Sequence, residues 1–450
     1  MTHEHPIDIE ALIDQRTLGP FQIFVAALCA AALLVDGFDT MAIGYVAPAL
    51  IKAWGIDRSA MTPAFAAGQI GLMLGSMVVG PLADRFGRRP VMIYSCVAFG
   101  LLSLATMSVS SVGWLIVLRF VTGFGLGGAM PNALALTSEY MPSRVRVTAT
   151  MVMFCGFSIG AALGGWVVAR LIAQHGWQVV FLIGGVIPLV LAVLLALLLP
   201  ESLRYLASTG KHRKRLAAYV RRIAPGTDPD GRATYVMTER KTTGFVVREL
   251  FNDGRTRMTL LLWAITFMVL LDLNLLSSWL PTMLRDSGLP LEIAATVTIG
   301  YQLGGTVGNV LLGRFVDRYA PFLVLVITFV VAFVGIVGIG LVGTNVPLLA
   351  VLIFVVGFCV IGGVGASDAL VATCYPTSVR VTGLGWAIGV GRIGAVVGPT
   401  IGGLALTMGS STASFFAIGA LPMLGSAAAA WAVHTSSRKT QRIVPSMHGS

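Results

Sequence analysis

Charged residues are scarce in this 450-residue chain. They make up 11% of it, whereas soluble globular proteins carry about 25%, and hydrophobic residues make up 56%. A chain with this composition cannot cover a soluble surface with polar groups, which excludes a soluble globular protein. The net charge of +11 does not indicate a nucleic-acid partner, because in a membrane protein the position of each basic residue matters more than their sum.

Cysteine is scarce as well. Its five copies lie in or beside apolar stretches, without Cys-x-x-Cys spacing and without histidine nearby. Small packing residues are the better interpretation, and we expect no disulfide, no metal site and no cofactor. The sequence also has no recognisable nucleophile–base pair and no soluble catalytic segment, so we do not expect an enzyme. The segment 1–19 is acidic, unlike a cleaved signal peptide.

Long apolar runs, by contrast, are abundant, and each is close to the roughly 20 residues that a helix needs to cross a membrane. The twelve runs lie near 21–50, 60–82, 90–109, 112–138, 147–172, 177–199, 258–284, 291–312, 320–342, 346–373, 379–407 and 412–433. This pattern predicts an all-α integral membrane protein of twelve transmembrane helices. It has an amino-terminal half (1–199), a central loop (200–257) and a carboxyl-terminal half with a tail (258–450).

The 31 basic residues are distributed unevenly around these runs. Four lie in the odd-to-even connections and two inside spans, while 25 lie in the tails and the even-to-odd loops. Because basic residues favour the cytoplasmic side, both termini and the central loop are predicted to be cytoplasmic. The basic central loop either sets this topology beside anionic headgroups or forms a regulatory docking site.

The two halves resemble each other in sequence. Residues 141–148, MPSRVRVT, align with residues 375–382, YPTSVRVT, at an offset of 234. Independently, residues 80–85 align with residues 313–318 at an offset of 233. Two six-helix halves made by duplication imply a pseudo-two-fold axis along the membrane normal and a site near the midplane where the halves meet. A transporter is the expected function of such a pair.

The connection between the second and third spans carries a specific motif. Residues 80–89 read GPLADRFGRR, and this resembles the signature of the major facilitator superfamily at nearly every position. Two further superfamily-like motifs are PESLRYL at 200–206 and the Arg-x3-Gly-x3-Gly pattern at 119–127. The second copy, at 313–318, keeps the aspartate and the arginine that follows it. It has no counterpart of the arginine pair that ends the first copy. The resemblance implies the twelve-helix facilitator fold.

Charged residues near the cytoplasmic ends of the spans are predicted to form gates, whose ion pairs break when the carrier opens. Glu139 is expected to belong with Asp84 and Arg88, and Arg380 to serve the other half as the repeat counterpart of Arg146. The predicted gating residues are Asp84, Arg85, Arg88, Arg89, Glu139, Arg144, Arg146, Asp317, Arg318 and Arg380.

One branch of the superfamily is the most similar. The DGFD sequence at 36–39, followed by YVAP at 45–48, looks like the aromatic acid:proton symporters of the benzoate, 4-hydroxybenzoate and protocatechuate types. Stretches at 130–140, 278–282 and 385–394 look like the same branch. The resemblance implies import of a small aromatic carboxylate with protons across the bacterial inner membrane, by a chain functional as a monomer. Two acids, Asp272 and Asp368, stand outside the family pattern.

Two acids in the first span are predicted to couple the proton. Asp36 lies about 22 Å into the span, and Asp39 follows three residues later on the same helical face. Two close carboxylates cannot both ionise at low cost at bilayer depth, so one of them is expected to hold a proton. The alternative is a structural cluster in which an aspartate caps a helix break at Gly37.

Two arginines are predicted to lie near the same depth, Arg119 in the fourth span and Arg392 in the eleventh. A guanidinium binds a carboxylate with two parallel hydrogen bonds, so an anionic substrate is implied without any family resemblance. Alternatively, each arginine neutralises a nearby aspartate. Polar and aromatic side chains could complete a substrate site or could serve only packing; these are Asn274, Trp279, Tyr301 and Trp386.

The sequence thus predicts a proton-coupled symporter that imports a benzoate- or hydroxybenzoate-like acid by alternating access. The same fold carrying another organic anion, or working as an efflux antiporter, is the alternative. An antiporter for cationic drugs would not be expected to carry Arg392 in a span.

Overall fold

Helices account for almost all of the chain that the computed structural model describes, which is residues 7–209, 213–225, 235–236, 250–251, 255–375 and 380–443. The first predicted half contains the helices α1 (Ile9–Asp14), α2 (Pro20–Trp54), α3 (Thr62–Phe86), α4 (Arg88–Thr106), α5 (Val112–Leu126), α6 (Ala129–Tyr140), α7 (Ser143–His175) and α8 (Gln178–Leu198). A short 3-10 turn, Arg58–Met61, precedes α3.

The central segment and the second half follow the same pattern. Their helices are α9 (Leu203–Thr209), α10 (Arg213–Ile223), α11 (Thr256–Asp286), α12 (Leu291–Arg318), α13 (Pro321–Leu341), α14 (Val346–Cys374), α15 (Arg380–Thr407) and α16 (Thr412–Ile443). Two strands of two residues each, β1 (Ile7–Asp8) and β2 (Tyr235–Val236), pair in parallel. The described part of the central loop therefore contains two short helices, α9 and α10, and the strand β2.

Local sequence explains where several of these helices begin. The Ser111 hydroxyl accepts a hydrogen bond from the Trp114 amide at 3.5 Å, which caps the start of α5. The Asn345 side chain accepts from the Leu348 amide at 3.3 Å and caps α14. Pro321 opens α13, where its missing N–H costs nothing because the first amides of a helix have no partner within the helix.

Eleven helices in the described chain are long and apolar enough to cross a membrane. The predicted span at 291–312 lies in α12, which has 28 residues and is thus about 42 Å long, but α12 is not among the eleven. Polar side chains such as Gln302 and Asn309 lower its mean hydropathy without shortening the helix. The all-helical transmembrane architecture is therefore confirmed, with α12 as its least apolar helix.

The helix α2 runs without interruption for 35 residues, from Pro20 to Trp54. The alternative that Gly37 breaks this helix and that an aspartate caps the break is therefore wrong. Gly37 has a packing role instead: a Cβ there would overlap the backbone carbonyl of Phe157 on α7. The break that does occur lies in the fourth span, where α5 ends and α6 begins around Gly127 and Gly128.

The chain divides into two compact units. Unit 1 comprises Met1–Thr40, Ile70–Ala161 and Gln178–Lys241. Its core is built from α2, α4, α6 and α8, and the apolar face of α10 packs on this core through Leu216 and Val220. Five exposed basic residues cover the rest of α10, as expected for a helix outside the membrane core.

Unit 2 comprises Met41–Gln69, Ala162–Trp177 and Thr242–Ser450. Within it α12 packs on α14, α11 on α15 and α13 on α16. The carboxyl-terminal ends of α2 and α7 and the amino-terminal end of α3 belong to this unit as well. One of its smaller apolar clusters joins Leu250 and Leu262 to Val371 and Tyr375.

Candidate functional site

One of the two predicted acids of the first span, Asp39, is bound by an arginine inside unit 1. The Arg119 guanidinium on α5 donates to both carboxylate oxygens of Asp39 on α2, at 3.0 and 3.3 Å. Both residues are buried, with 3% and 4% of their surfaces exposed. Two parallel hydrogen bonds are the arrangement that best offsets the cost of removing such a pair from water.

The guanidinium of Arg119 has a second neighbour, the ring of Phe181 on α8. The Cζ atom of Arg119 lies 5.4 Å from the ring centroid, within the range of a cation–π contact. Its Nε atom meets no hydrogen-bond partner within the described part of the chain. Arg119 is thus held by a carboxylate on one side and an aromatic ring on another, with one donor still unused.

Asp36 lies one helical turn from Asp39 and is equally buried, with 2% of its surface exposed. Its carboxylate accepts a hydrogen bond from the hydroxyl of Thr40 at 3.3 Å. The two acids lie on the same face of α2, as the three-residue spacing predicts. Close packing of α2 on α7 fixes this face, because Cβ atoms at Gly156 and Gly160 would overlap α2 backbone carbonyls.

Unit 2 contains an acid with a different environment. Asp272, in the middle of α11, is completely buried, and neither carboxylate oxygen has a hydrogen-bond partner among the described residues. Tyr301 on α12 is also completely buried, its hydroxyl is unpartnered in the same sense, and it lies close enough to interact electrostatically with Asp272. Asn274 donates to the carbonyl of Leu270 in its own helix at 2.9 Å.

The second predicted arginine, Arg392 on α15, is half-buried and interacts electrostatically with Asp368 on α14. The Oδ1 atom of Asp368 is buried without a hydrogen-bond partner in the described chain. Both predicted arginines therefore lie near an aspartate of their own unit.

The two predicted tryptophans lie in separate environments. Trp279 is completely buried, packs edge-on against Phe65 at 5.0 Å between centroids, and donates its indole N–H to the carbonyl of Pro399 at 2.9 Å. Trp386 is 39% exposed and stacks on Trp263 at 5.8 Å. The indole N–H of Trp279 is thus already used within the protein.

Two of the predicted gating residues of unit 1, Arg88 and Glu139, belong to a charge cluster at the start of α4. Arg88 pairs with Glu139 of α6, and the second carboxylate oxygen of Glu139 accepts from the Ser202 hydroxyl at 2.7 Å. This pairing agrees with the expected association of Glu139 with Arg88. The backbone amides of Arg88 and Arg89 both donate to Glu201, at 2.8 and 3.1 Å.

Glu201 was not among the predicted gating residues, although it stands in the PESLRYL motif. Its carboxylate satisfies the first amides of α4, which makes it the cap of a helix far away in sequence. Gly87, just before α4, has φ of 97°, a conformation that favours glycine, and a Cβ there would contact the Glu201 carboxylate. The motif was the available signal for this residue.

The other predicted gating arginines lie elsewhere. Arg146 pairs with Glu10 of α1 at 3.0 Å, and Arg144 donates to the carbonyl of Arg16 at 2.6 Å. Both therefore bind the acidic amino-terminal segment. Arg85 and Arg318 are exposed, and each lies over the ring of the next residue. The guanidinium of Arg89 donates to the carbonyl of Ala196.

Three predicted gating side chains, those of Asp84, Asp317 and Arg380, lie outside the residues whose side chains the structure describes.

Unit 2 also contains a charge cluster that the sequence did not reveal. Arg58, in the turn before α3, pairs with Asp286 at the end of α11 at 3.1 Å. The neighbouring Arg285 donates to the carbonyl of Pro48 on α2 at 2.8 Å. These partners are far apart in sequence, and no motif connects them.

The chain matches proteins of known family along almost its whole length. The model of the Major Facilitator Superfamily matches residues 29–265 and again residues 262–448. The 4-hydroxybenzoate transporter PcaK of Pseudomonas aeruginosa is 41% identical over 404 residues, which are 90% of each protein. A gallate transporter of Pseudomonas putida is 40% identical, covering 94% of each. The 3-(3-hydroxy-phenyl)propionate transporter of Escherichia coli is 36% identical, covering 87% of this chain and 89% of that protein.

Solved structures show the same fold at lower sequence identity. The xylose transporter XylE of E. coli, in a partially occluded inward open conformation, superimposes with a TM-score of 0.70 at 18% identity, covering 96% of this chain and 100% of that one. The nucleoside transporter NupG gives a TM-score of 0.70 at 13% identity, covering 92% and 99%. The family model, the relatives and the fold agree, and the chain belongs to the major facilitator superfamily, as a transporter grouped with members named for aromatic acids and not as an enzyme.

Proposed function

We propose that this protein imports a small aromatic carboxylate together with protons across the bacterial inner membrane, by alternating access. Benzoate and its hydroxylated derivatives are the first candidates, because relatives at 36–41% identity are named for 4-hydroxybenzoate, gallate and a hydroxyphenylpropionate. The single observation that carries the proposal is the buried pair of Asp39 and Arg119.

The pair supports coupling between a proton and an anion. Asp39 already occupies the guanidinium fork of Arg119 with a carboxylate, and a substrate carboxylate would have the same geometry. Protonation of Asp39 removes its negative charge and weakens this pair, which leaves Arg119 available for the substrate anion. Asp36, on the same face of α2, would pass the proton to or from Asp39.

Arg392 is proposed as a second residue that binds the substrate carboxylate. Its neighbour Asp368 would balance its charge when the substrate is absent. The Tyr301 hydroxyl has no hydrogen-bond partner among the described residues. Among the aromatic candidates, Tyr301 is therefore the one whose hydroxyl could donate a hydrogen bond to the substrate. Asn274, Trp279 and Trp386 remain candidates for shaping the site, although the polar groups of Asn274 and Trp279 already make internal hydrogen bonds.

The basic loops support an orientation with both termini in the cytoplasm. The cluster of Arg88, Glu139 and Glu201 would then lie at the cytoplasmic side and act as a gate. The cluster of Arg58, Asp286 and Arg285 would lie at the opposite side. Each would have to open once in a transport cycle, and the protein would function as a monomer.

Uptake of radiolabelled aromatic acids by cells that lack their own carriers tests the proposal. We expect uptake of at least one hydroxybenzoate that increases as the outside is acidified and collapses with a protonophore. Cells with the vector alone provide the control. Absence of uptake for a panel of benzoates, hydroxybenzoates and phenylpropanoates, in cells whose membranes contain the protein, would contradict the substrate class.

The proton pair is tested by Asp36→Asn and Asp39→Asn. Concentrative uptake should be lost in both variants, whereas exchange of labelled for unlabelled substrate can survive, because exchange does not require the deprotonated carrier to return. If both single variants concentrate the substrate with unchanged pH dependence, this pair does not couple the proton.

A further inference from the structure

Asp272 is a buried acid to which the proposed function gives no role. It lies 16 residues into the 31-residue helix α11, and so about 24 Å from the start of that helix, near its middle. None of its surface is exposed, and within the described chain both carboxylate oxygens are without a hydrogen-bond partner. Asp39, the comparable acid of α2, has an arginine on both oxygens.

The helices packed against α11 carry few groups that could balance a charge on Asp272. These helices are α12, α14, α15 and α16, together with the segment of α2 in the same unit. Their charged or titratable groups with described side chains are Tyr45, Lys52, Glu292, Tyr301, Arg314, Arg318, Cys359, Asp368, Cys374, Arg392 and His434. Tyr301 interacts electrostatically with Asp272, and Arg392 interacts with Asp368.

An ionised carboxylate in this position would have no exposed surface and, among the described residues, no hydrogen-bond donor in contact with it. Burying an unpaired charge costs many kcal/mol, and such groups bind a proton instead. The neutral acid fits the site better, because it carries no charge to balance, and the Tyr301 hydroxyl, which has no hydrogen-bond partner among the described residues, lies within electrostatic range of it. The surroundings of Asp272 therefore suit a protonated carboxyl group better than an ionised one.

We propose that Asp272 is a second proton carrier, which takes up a proton when water reaches it from outside and releases it when water reaches it from the cytoplasm. The Tyr301 hydroxyl would be the partner of its protonated carboxyl group. This inference rests on the proposed function, since it adds a second proton to the one assigned to Asp36 and Asp39. A monoanion that moves with two protons carries one net positive charge inward.

The net charge makes the inference measurable in proteoliposomes. An inside-negative potential of 100 mV acts on one charge with about 2.3 kcal/mol, which corresponds to about a 50-fold change in the accumulation ratio. We expect the purified wild-type protein to accumulate a benzoate or hydroxybenzoate in response to a potassium-diffusion potential at equal pH. In Asp272→Asn this response should be lost, while accumulation driven by a pH gradient remains.

Two variants serve as controls. Ser277→Ala removes another buried polar group of α11 without removing a titratable one, and it should keep the response to potential. Asp272→Glu keeps a carboxyl group and should keep at least part of that response. A wild-type protein that accumulates substrate with a pH gradient but ignores the potential overturns the inference and leaves the proposed function intact.

The remaining outcomes are also decisive. If Asp272→Asn keeps the full response to potential, another residue carries the second proton. If Asp272→Asn inserts into the membrane but loses exchange as well as uptake, Asp272 is needed for substrate movement itself, and the inference of a pure proton carrier is overturned. If the variant does not insert, infrared spectra of the wild-type protein and Asp272→Glu should show a protonated carboxyl band that differs between them, and identical spectra overturn the inference. If no aromatic acid is transported at all, the proposed function fails first.

Discussion

Asp39 in unit 1 and Asp272 in unit 2 are equally deep inside long membrane helices, yet they lie in opposite surroundings. Asp39 is bound on both oxygens by Arg119, whereas neither oxygen of Asp272 has a hydrogen-bond partner among the described residues and the Tyr301 hydroxyl interacts with it electrostatically. The difference teaches that a buried acid can be accommodated either by a cation or by a proton. The two arrangements should therefore lose different amounts of stability when the acid is replaced.

The largest expected effect comes from removing the acid of the paired site. Asp39→Asn leaves the Arg119 guanidinium buried without a counter-charge, which should destabilise the protein by about 3–5 kcal/mol. Asp272→Asn replaces a neutral acid with a neutral amide of similar shape and should cost about 1 kcal/mol or less. Thermal unfolding in detergent measures both. If Asp272→Asn lowers the free energy of unfolding as much as Asp39→Asn does, Asp272 is paired with a charge as well, and the contrast between the two acids is wrong.

Arg392 tests whether the second unit uses its cation for substrate. Arg392→Ala should lower the apparent affinity for an aromatic acid by about 30-fold or more, because removing one partner of a hydrogen-bonded charge pair costs about 2 kcal/mol or more. Arg392→Lys should restore little of it, since a point charge cannot replace the planar guanidinium fork. Uptake kinetics, with membrane content measured by immunoblot, provide the comparison. Normal affinity in the alanine variant excludes Arg392 as a substrate ligand.

Glu201 extends the comparison to a buried acid that caps a helix. Glu201→Ala removes the acceptor for the first amides of α4, which should cost about 1–2 kcal/mol of stability. Because the same carboxylate lies in the cluster proposed as a gate, the rate of alternation should change more than the substrate affinity. Exchange and net uptake at saturating substrate measure the rate. A pure change in affinity would contradict the gating proposal.

The smallest effect is expected for the ion pair of Arg58 and Asp286 in unit 2. The Arg58 side chain is 50% exposed, so water screens the pair, and Arg58→Ala should change stability by only about 0.2–1 kcal/mol. The change should shrink further in high salt. A loss as large as that of Asp39→Asn would mean that burial does not decide what pairing is worth.

The sequence predicted the helices well because apolar length depends on local composition. The observed helices α4, α8 and α13 begin and end within a few residues of the predicted spans. It also predicted that Arg119 comes near the depth of Asp36, but left open whether the arginine would neutralise an aspartate. The contact of Arg119 with Asp39 across 80 positions of sequence depends on helix packing, which a single sequence does not encode locally.

Two other results also show that a single sequence does not reveal contacts between distant residues. The alternative of a helix break at Gly37 was wrong because glycine serves the contact with α7 there, and a single sequence cannot distinguish a contact from a kink. Glu201 was not identified as a cap because the amides that it binds lie 113 and 112 positions earlier. The sequence identified the residue types needed for the site, while their partners depend on tertiary structure.

The glycine contacts between helices have a consequence for how such a carrier could change in evolution. At Gly160 and Gly398 the backbones of two helices approach so closely that any Cβ would overlap a carbonyl oxygen of the neighbouring helix. Helix spacing at these points is therefore set by main chain, independently of the side chains that face a substrate. Substitutions at cavity positions can alter which acid is accepted while the scaffold keeps its dimensions, and new specificities can arise without a new bundle.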